Sequence, residues 1–451
     1  MLIDKKYLPI ETYLKDFSKR VNNYGSSVTV DVCLVRQDDY NYSFTLPILP
    51  SGVDDEANYV VVERLIKASL WAVGGYKLYL SCPDYIYNRI KNAYSKGGER
   101  QFDAEMMARV YEQDFEVIRA DKSQFPSPKS ASISVGGHLE GCRIGFDAGG
   151  SDRKVSAVVD GEVIYSEEVV WHPKLNSDPS YHYQGILDAM KTAASKMERV
   201  DAIGVSSAGI YVNNRIMVAS LFVKVSDEDF ENHVKNMYID IAKEMGNPPL
   251  EVANDGDVTA LAGALSLDSG SVLGIAMGTS EAVGYINKDK GINGWLNELA
   301  FAPVDLSDEA LADEWSGDIG VGCKYFSQDA VIKLAQIGGF TFEDGLSPAE
   351  KLKVIQRLAD DGDAFALSIF SDIGEYLGNT LPFYNRFYDI KHVLLLGRVL
   401  SGRGGDTIIN KAREVLRSNY PDLDVKLSVP DEKTRRVGQS IAAASLPKLR
   451  S

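Results

Sequence analysis

Ile144-Gly-Phe-Asp-Ala-Gly-Gly-Ser151 and Glu251-Val-Ala-Asn-Asp-Gly-Asp257 are the two stretches that decide how this chain reads. Two more follow in order, Gly274-Ile-Ala-Met-Gly-Thr-Ser280 and Val393-Leu-Leu-Leu-Gly-Arg398. Each glycine turn leaves a run of apolar, strand-like residues, a place where backbone N–H groups can be aimed at phosphate oxygens. An aspartate fixed between two such turns is placed to take the proton from a hydroxyl attacking phosphorus. The order of the pieces points to an ATP-dependent kinase.

Around them the composition is that of an ordinary globular protein, 45% apolar and 25% charged. At 451 residues the chain exceeds the length at which one core keeps growing, so two or three domains are expected. Cys33, Cys82, Cys142 and Cys323 are far apart, which reads as free thiols in a reducing compartment with no zinc site. The opening Met1-Leu-Ile-Asp-Lys-Lys lacks the apolar segment of a signal peptide. The best candidate membrane span, Tyr59 to Leu80, is broken by Glu63, Arg64 and Lys67, so a cytoplasmic protein with no membrane partner is expected. A net charge of −16 argues against a nucleic-acid partner. Residues 1–138 are near neutral, with 17 Lys and Arg against 18 Asp and Glu, so the acidity lies beyond them. It does not conflict with a nucleotide site, because backbone N–H groups and Mg²⁺ can hold phosphates.

The stretch 121–138, rich in Ser, Pro and Gly and lacking either period, reads as a linker. Before it, residues 1–120 read as an N-terminal α/β accessory domain with strands at Ser27–Val35, Tyr42–Leu46, Lys77–Leu80 and Phe115–Arg119. Its helices fall at Glu56–Val73, Tyr85–Tyr94 and Asp103–Tyr111. After it, residues 139–451 open with strand Arg143–Phe146, the Gly149-Gly150 turn and a hairpin across Asp160-Gly161. A helix near Tyr183–Met197, capped by Asp178 or Ser180, leads to strand Ala202–Val205. Pro248–Ala253 runs in as a strand and Asp257–Leu267 runs out as a helix, which puts Asn254-Asp255 at a strand-to-helix junction. A second hairpin, Ser271–Met277 with Ala282–Ile286, turns across Gly278-Thr279-Ser280. Helices at Asp329–Gln336, Pro348–Asp360 and Ala364–Phe383 precede a strand–turn–helix at His392–Val399 and Asp406–Ser418. Strand Val425–Val429 and helix Thr434–Ala444 close the chain. Two halves that each begin with strand, phosphate turn and strand resemble the actin/hexokinase/Hsp70 layout. The expected fold class is α/β, with two actin-like (ribonuclease H-like) lobes around a nucleotide cleft and a small N-terminal α/β domain.

Each motif has a chemical reading and a bland one. Gly149 and Gly150 let the backbone approach a phosphate, with Ser151 or Lys154 reaching its oxygens and Asp147 holding Mg²⁺ through water; a plain hairpin turn is the alternative. Asp255 can be the base for an acceptor hydroxyl and Asn254 an orienting amide, while the same Asn-Asp-Gly-Asp also suits a helix cap, with Asp257 as cap and Asp255 free. Gly278, Thr279 and Ser280 can cradle the β- or γ-phosphate. Glu298, in Asn297-Glu-Leu-Ala-Phe-Ala-Pro303, suits vicinal hydroxyls of a sugar. Gly397, with Arg398 or Arg403, suits the purine end of a nucleotide. Trp171, His172, His182 and their neighbours read as packing at a helix start rather than an acceptor wall. The acidic stretch Asp305–Asp318 reads as a solvated face.

Taken together, residues of about 140–448 resemble the ROK (repressor, open reading frame, kinase) family of sugar kinases and sugar-sensing repressors. The resemblance implies that Asp255 is the catalytic base, that Asn254 and Glu298 bind sugar hydroxyls, and that the turns at Gly149-Gly150 and Gly278-Thr279 hold ATP phosphates. Ser207 and Ser220 are further candidates for substrate contacts. ATP, Mg²⁺ and a small-molecule sugar are the implied ligands, with a homodimer allowed for. The sequence departs from the family at four places. Phe301 stands where a sugar- or zinc-contacting His is usual, and the Cys-rich zinc loop is absent, so no zinc is expected. Ser280 replaces a glycine, and Ala219-Ser220-Leu221 replaces a loop that often supplies an Asn. These departures keep open a second reading, a catalytically inactive sugar- or nucleotide-responsive regulatory protein, against which the retained Asp255 argues. The N-terminal extension is longer and more mixed than the helix-turn-helix of ROK repressors. It is expected to cover the acceptor cleft, so that its removal spares nucleotide binding and weakens acceptor binding.

Overall fold

The structure is a computed structural model that describes residues 2–130, 135–429, 438, 439 and 441–449. Residues 131–134 of the expected linker and residues 434–437 and 440 of the expected helix Thr434–Ala444 lie outside the described residues.

The N-terminal segment forms its own four-stranded sheet from β1 (Val28–Val35), β2 (Asn41–Ile48), β3 (Lys77–Ser81) and β4 (Glu116–Arg119), in the order β2-β1-β3-β4. A helix absent from the sequence reading, Ile10–Tyr24, precedes it. The helix buries Ile10, Leu14, Phe17 and Val21, a stripe at helical spacing, and stops at Gly25, whose φ of 82° is costly for other residues. Helix Asp55–Val73 begins at Asp54, whose side chain accepts the Ala57 N–H, and is buried on almost every side. The start of the linker is tied down: the Asn41 N–H donates to the Lys129 carbonyl at 2.8 Å.

The first lobe is a five-stranded sheet. Its antiparallel strands are β5 (Cys142–Ala148), β6 (Asp152–Val159) and β7 (Glu162–Val170), and β8 (Ala202–Ser207) lies parallel to β5. A small hairpin of β9 (Ile210–Val212) and β10 (Arg215–Val218) follows, and β11 (Leu250–Asn254) completes the order β11-β8-β5-β6-β7. Asp160 and Gly161, at φ 48° and 85°, make the expected tight turn between β6 and β7. Helix Pro179–Ala194, capped by Asp178, crosses from β7 to β8.

The second lobe repeats the plan with one strand fewer. β12 (Val272–Met277), β13 (Glu281–Ile286), β14 (His392–Leu396) and β15 (Lys426–Ser428) take the order β13-β12-β14-β15, with β12, β14 and β15 parallel. The crossover to β14 carries helices Gln328–Ile337, Pro348–Asp360 and Ala364–Tyr384. The two lobes differ in how their cores close. The first lobe packs apolar side chains drawn from Ile144 to Val252. The second lobe shares one continuous cluster with the N-terminal segment, running from Tyr7 and Trp71 to Phe301, Tyr376 and Leu427.

Candidate active site

Three parallel strands of the first lobe end on one edge. Their register sets Asp147 beside Ser206 and Ser206 beside Ala253, so the next positions bring Asn254 and Asp255 to the same edge. Ligands in open α/β sheets bind outside the carboxyl ends of such strands. Asp147 accepts a hydrogen bond from the Ser206 hydroxyl at 2.8 Å. Burial pushes its carboxyl up to about 6 against that bond, and the nearby Asp255 charge adds to the rise.

The helix cap is Asn254, not Asp257. Asn254 Oδ1 accepts the Gly256 N–H at 2.7 Å, and its Nδ2 donates to the Gly209 carbonyl at 2.8 Å. Asp255 is therefore the first residue of helix Asp255–Leu267, where the peptide dipoles favour a carboxylate. Burial pushes its carboxyl above the ordinary value, opposed by the Gly256 N–H. Asp257 points inward, where its Oδ1 accepts the Tyr285 N–H at 3.0 Å and Asn297 Nδ2 at 2.8 Å. Burial moves it up to about 7.

Glu298 is delivered by the N-terminal segment. The N–H groups of Asn297 and Glu298 donate to the carbonyls of Ala72 and Trp71, at 3.0 and 2.9 Å. Those carbonyls belong to the last turn of helix Asp55–Val73, which has no partners of its own for them. Asn297 takes φ 54°, a left-handed conformation that Asn tolerates, and the Tyr388 hydroxyl donates to its Oδ1 at 3.0 Å. Burial raises Glu298 to about 7, with the charges of Asp255 and Asp257 adding to it.

Asp255, Glu298, Asn254, Ser220 and Ser280 line one cavity of about 370 Å³. Residues that the sequence reading did not single out for the site line it as well, among them Trp71 and Met106 from the N-terminal segment, Glu281, Asp313 and Trp315. Glu281 follows the phosphate turn directly and was visible there; Trp71 and Met106 gave no local signal. Phe301 stacks into an aromatic wall, 4.5 Å between ring centres from Trp71 and 5.3 Å from Trp315. Ser207 does not face this cavity. It is fully buried on β8 and accepts a hydrogen bond from the Tyr238 hydroxyl at 3.1 Å.

The acidic stretch Asp305–Asp318 is a solvated face only in part: Asp308, Glu309 and Glu314 are exposed, whereas Asp305, Asp313 and Asp318 are buried. Asp318 is buried against Arg64, Lys67 and Arg100, with contacts of 3.1, 3.2 and 2.9 Å. Burial works to raise its carboxyl, but Arg64 and Lys67 outweigh that and hold it below the ordinary value. Lys67 also meets Asp103 at 2.8 Å, and Asp103 accepts the Trp71 indole N–H at 2.8 Å. The wall residue Trp71 is thereby locked by a buried ionic network that the cationic residues of the N-terminal helices complete.

Of the residues at the glycine turns, only Ser280 lines this cavity. Trp171 is buried beneath the first turn, its indole N–H donating to the Gly149 carbonyl at 2.7 Å and its backbone N–H to the Ser151 carbonyl at 3.1 Å. Gly150 and Ser151 are exposed, and the Lys174 side chain lies over Gly150. Lys154 faces Glu168 at 3.9 Å. In the second lobe the Gly278 N–H donates to the Ser280 carbonyl at 3.0 Å, and a Cβ on Gly278 would meet only that oxygen, at 3.7 Å. Thr279 and Ser280 are exposed beside it. Gly397, at φ 98°, lies directly on β12, where a Cβ would fall 2.2 Å from the Met277 carbonyl oxygen. Arg398 is exposed and its carbonyl accepts Gln356 Nε2 at 2.7 Å, whereas the Arg403 guanidinium is turned to the Asp360 carbonyl at 3.3 Å. Among the described residues, no group of three or more His, Cys, Asp or Glu is arranged to hold a metal ion, and no helix is long and apolar enough to cross a membrane.

No protein-family model matches the sequence, and no curated protein does. Solved structures do match the fold. A ROK hexokinase from Thermus thermophilus aligns with a TM-score of 0.52 at 17% identity, over 67% of this chain and 97% of its own. A ROK family transcriptional regulator, described as a homolog of the E. coli MLC protein, aligns at 0.52 and 18% identity, over 68% of this chain and 79% of its own. A sheet order shared by two lobes, carboxylates at the carboxyl ends of its strands and these likenesses converge: the chain has the actin-like α/β fold of the ROK proteins.

Proposed function

We propose that this chain transfers the γ-phosphoryl group of ATP to a hydroxyl of a sugar or sugar derivative, with Asp255 as general base. The observation that carries this reading is convergence: the candidate base Asp255, the phosphate-turn residue Ser280 and the hydroxyl-binding candidate Glu298 line a single cavity. Asp255 takes the acceptor proton as the acceptor oxygen forms its bond to phosphorus and the bond to the β-phosphate oxygen breaks. A helix N-terminus keeps that carboxylate available as the base. Glu298 and the Asn254 amide orient neighbouring hydroxyls, and the backbone of Gly149–Ser151 and Gly278–Ser280 holds the phosphates.

The donor set fits Mg²⁺. Asp147 is a carboxylate with one recorded donor, Ser206, raised by burial and by the Asp255 charge, so a cation there relieves it. Magnesium is commonly held by one or two carboxylates together with substrate phosphates, and bound there it would neutralise charge on the transferring group. Asp147 would hold it, directly or through water, while Lys154 and Lys174 add positive charge beside the first turn.

The N-terminal segment, in this reading, is the closed side of the acceptor site: it supplies Trp71 and Met106 to the wall and fixes the Glu298 loop. Equal likeness to a ROK regulator favours a second reading, a ligand-responsive protein without catalysis. A coupled ADP-release assay with the full-length protein, across hexoses, amino sugars, sugar acids and polyols, separates the two. Acceptor-dependent ADP release supports the kinase; saturable sugar binding with no ADP release from any acceptor supports the regulator.

A further inference from the structure

The acceptor cavity holds more acid than phosphoryl transfer requires. Its wall presents Asp255, Glu281, Glu298 and Asp313, and among the described residues that line it there is no Lys, Arg or His. Glu281 is the least explained of the four. It is 4% exposed, its Oε1 accepts the Tyr384 hydroxyl at 3.2 Å, and its Oε2 is buried with no hydrogen-bond partner. Gly322 makes room for that oxygen, since a Cβ there would lie 2.2 Å from it. A buried carboxyl with one oxygen left unpartnered is expensive, and cheaper residues would fill the same space.

The charge that acts on it is acidic. Glu298 raises it, Asp313 lies on the same cavity beside Cys323, whose thiol donates to Asp313 at 3.5 Å, and Tyr384 supplies only a hydroxyl. Burial, with that crowding, moves Glu281 up to about 8. The remaining wall is aromatic. Trp71, Phe301 and Trp315 turn π-faces or edges into the same space, and Trp315 is 59% exposed at its rim. Aromatic faces attract cations and stack on sugar rings.

One ligand chemistry satisfies the orphan oxygen, the uncompensated acids and the aromatic wall together. We propose that the acceptor carries a protonated amine, placing the substrate among the amino sugars, and that Glu281 is the specificity-determining residue that receives the ammonium group. This rests on the reading of the cavity as the acceptor site of a kinase. An N-acetylated sugar keeps a donor but loses the charge, and a sugar acid meets a lining with no Lys, Arg or His to pair with it. Binding of the ammonium group draws Glu281 into its ionised form, so uptake of the amine is coupled to proton release.

Calorimetry on the full-length protein tests this directly. The ligands are 2-amino-2-deoxyglucose, 3-amino-3-deoxyglucose and 6-amino-6-deoxyglucose, glucose itself and the N-acetyl derivatives. Titrations are run near neutral pH with Mg²⁺ and a non-hydrolysable ATP analogue, in two buffers of different ionisation enthalpy. At least one amine should bind about tenfold or more tighter than glucose and its own N-acetyl derivative, consistent with a charge-assisted contact, and should release protons. Glu281→Gln should erase both the preference and the proton release. Because the wild-type comparison needs no variant, a Glu281→Gln protein that fails to fold leaves the test intact. Glucose binding as tightly as every amine overturns the proposal. A preference that survives in a folded Glu281→Gln protein overturns the role of Glu281. If glucose accepts phosphate and no amine binds, this inference fails and the kinase reading stands; if no sugar binds or accepts phosphate, both fail.

Discussion

The two lobes solve one problem in different ways. The first lobe has five strands and fills its core from its own stretch of chain. The second has four, and its core runs without a break into residues that precede the first lobe in sequence. The self-contained lobe holds the proposed base and cation ligand, Asp255 and Asp147, at its strand ends. The borrowing lobe and the N-terminal segment supply most of the pocket's acids and its aromatic wall, and the first lobe closes it with Ser220, Asn254 and Asp255. In the proposed kinase the base and most of the acceptor wall are therefore held by bodies with different origins of stability, and a change in one should leave a separable mark.

The largest effect should come from deleting residues 1–120. An appended module would come away cleanly, but here its removal exposes the partners of Tyr7, Trp71 and Met107 in the second lobe. The shortened chain should therefore no longer melt as one cooperative unit, because only the self-contained first lobe keeps its core; circular dichroism reads this. A truncated protein that still melts cooperatively and binds ATP would mean that the second lobe stands alone. Asp255→Asn strikes the other lobe. It keeps the size of the side chain and removes the base, so kcat should fall by about 10²–10⁴ while nucleotide affinity holds within about threefold. Activity near wild type would remove Asp255 from the mechanism.

Trp315→Ala addresses the wall without the core, since this ring is mostly exposed. Loss of stacking should raise the acceptor KM about two- to tenfold, with kcat and melting temperature little changed. An unchanged KM would take the aromatic rim out of recognition. The smallest effect is in pH. Asp257 and Glu298 are raised to about 7 and Glu281 to about 8 in the folded protein, far above their ordinary values. The folded state therefore holds protons that the unfolded chain has released, and this contribution to stability is full at low pH and lost as pH rises through 7 to 8. The melting temperature of the ligand-free protein should fall between pH 5.5 and about 8. Asp257→Asn, which can still accept from Tyr285 and Asn297, should flatten part of that slope; an identical slope would mean Asp257 is not proton-bound in this range.

The sequence was most legible where backbone geometry writes itself into residue type. Glycine turns after apolar runs, the Asp160-Gly161 hairpin and the Asn254-Asp255 junction all read correctly as elements, because only certain residues tolerate those conformations. The helix Ile10–Tyr24 is equally legible, from the spacing of Ile10, Leu14, Phe17 and Val21 and its closing Gly25. The cap at Asn254 could not be told from one at Asp257 by residue type, since both are good caps; burial of Asp257 under Tyr285 and Asn297 decided it. Asp318 was beyond local reading altogether. Its partners Arg64, Lys67 and Arg100 lie more than two hundred residues away, and a run of acids looks solvated until the fold brings cations to it. Trp71 and Met106 reach the cavity for the same reason.

The pairing of Asn297 and Glu298 with the carbonyls of Ala72 and Trp71 also sets a timetable for synthesis. As the chain leaves the ribosome, helix Asp55–Val73 is made early, yet the groups that close its last turn arrive only after the whole first lobe has been translated. Through that interval the end of the helix and the apolar faces destined for the second lobe remain without their partners. Nascent chains that have completed the first lobe are therefore the ones most in need of a holding chaperone, and arrest of translation just before residue 297 should give the most aggregation-prone intermediate.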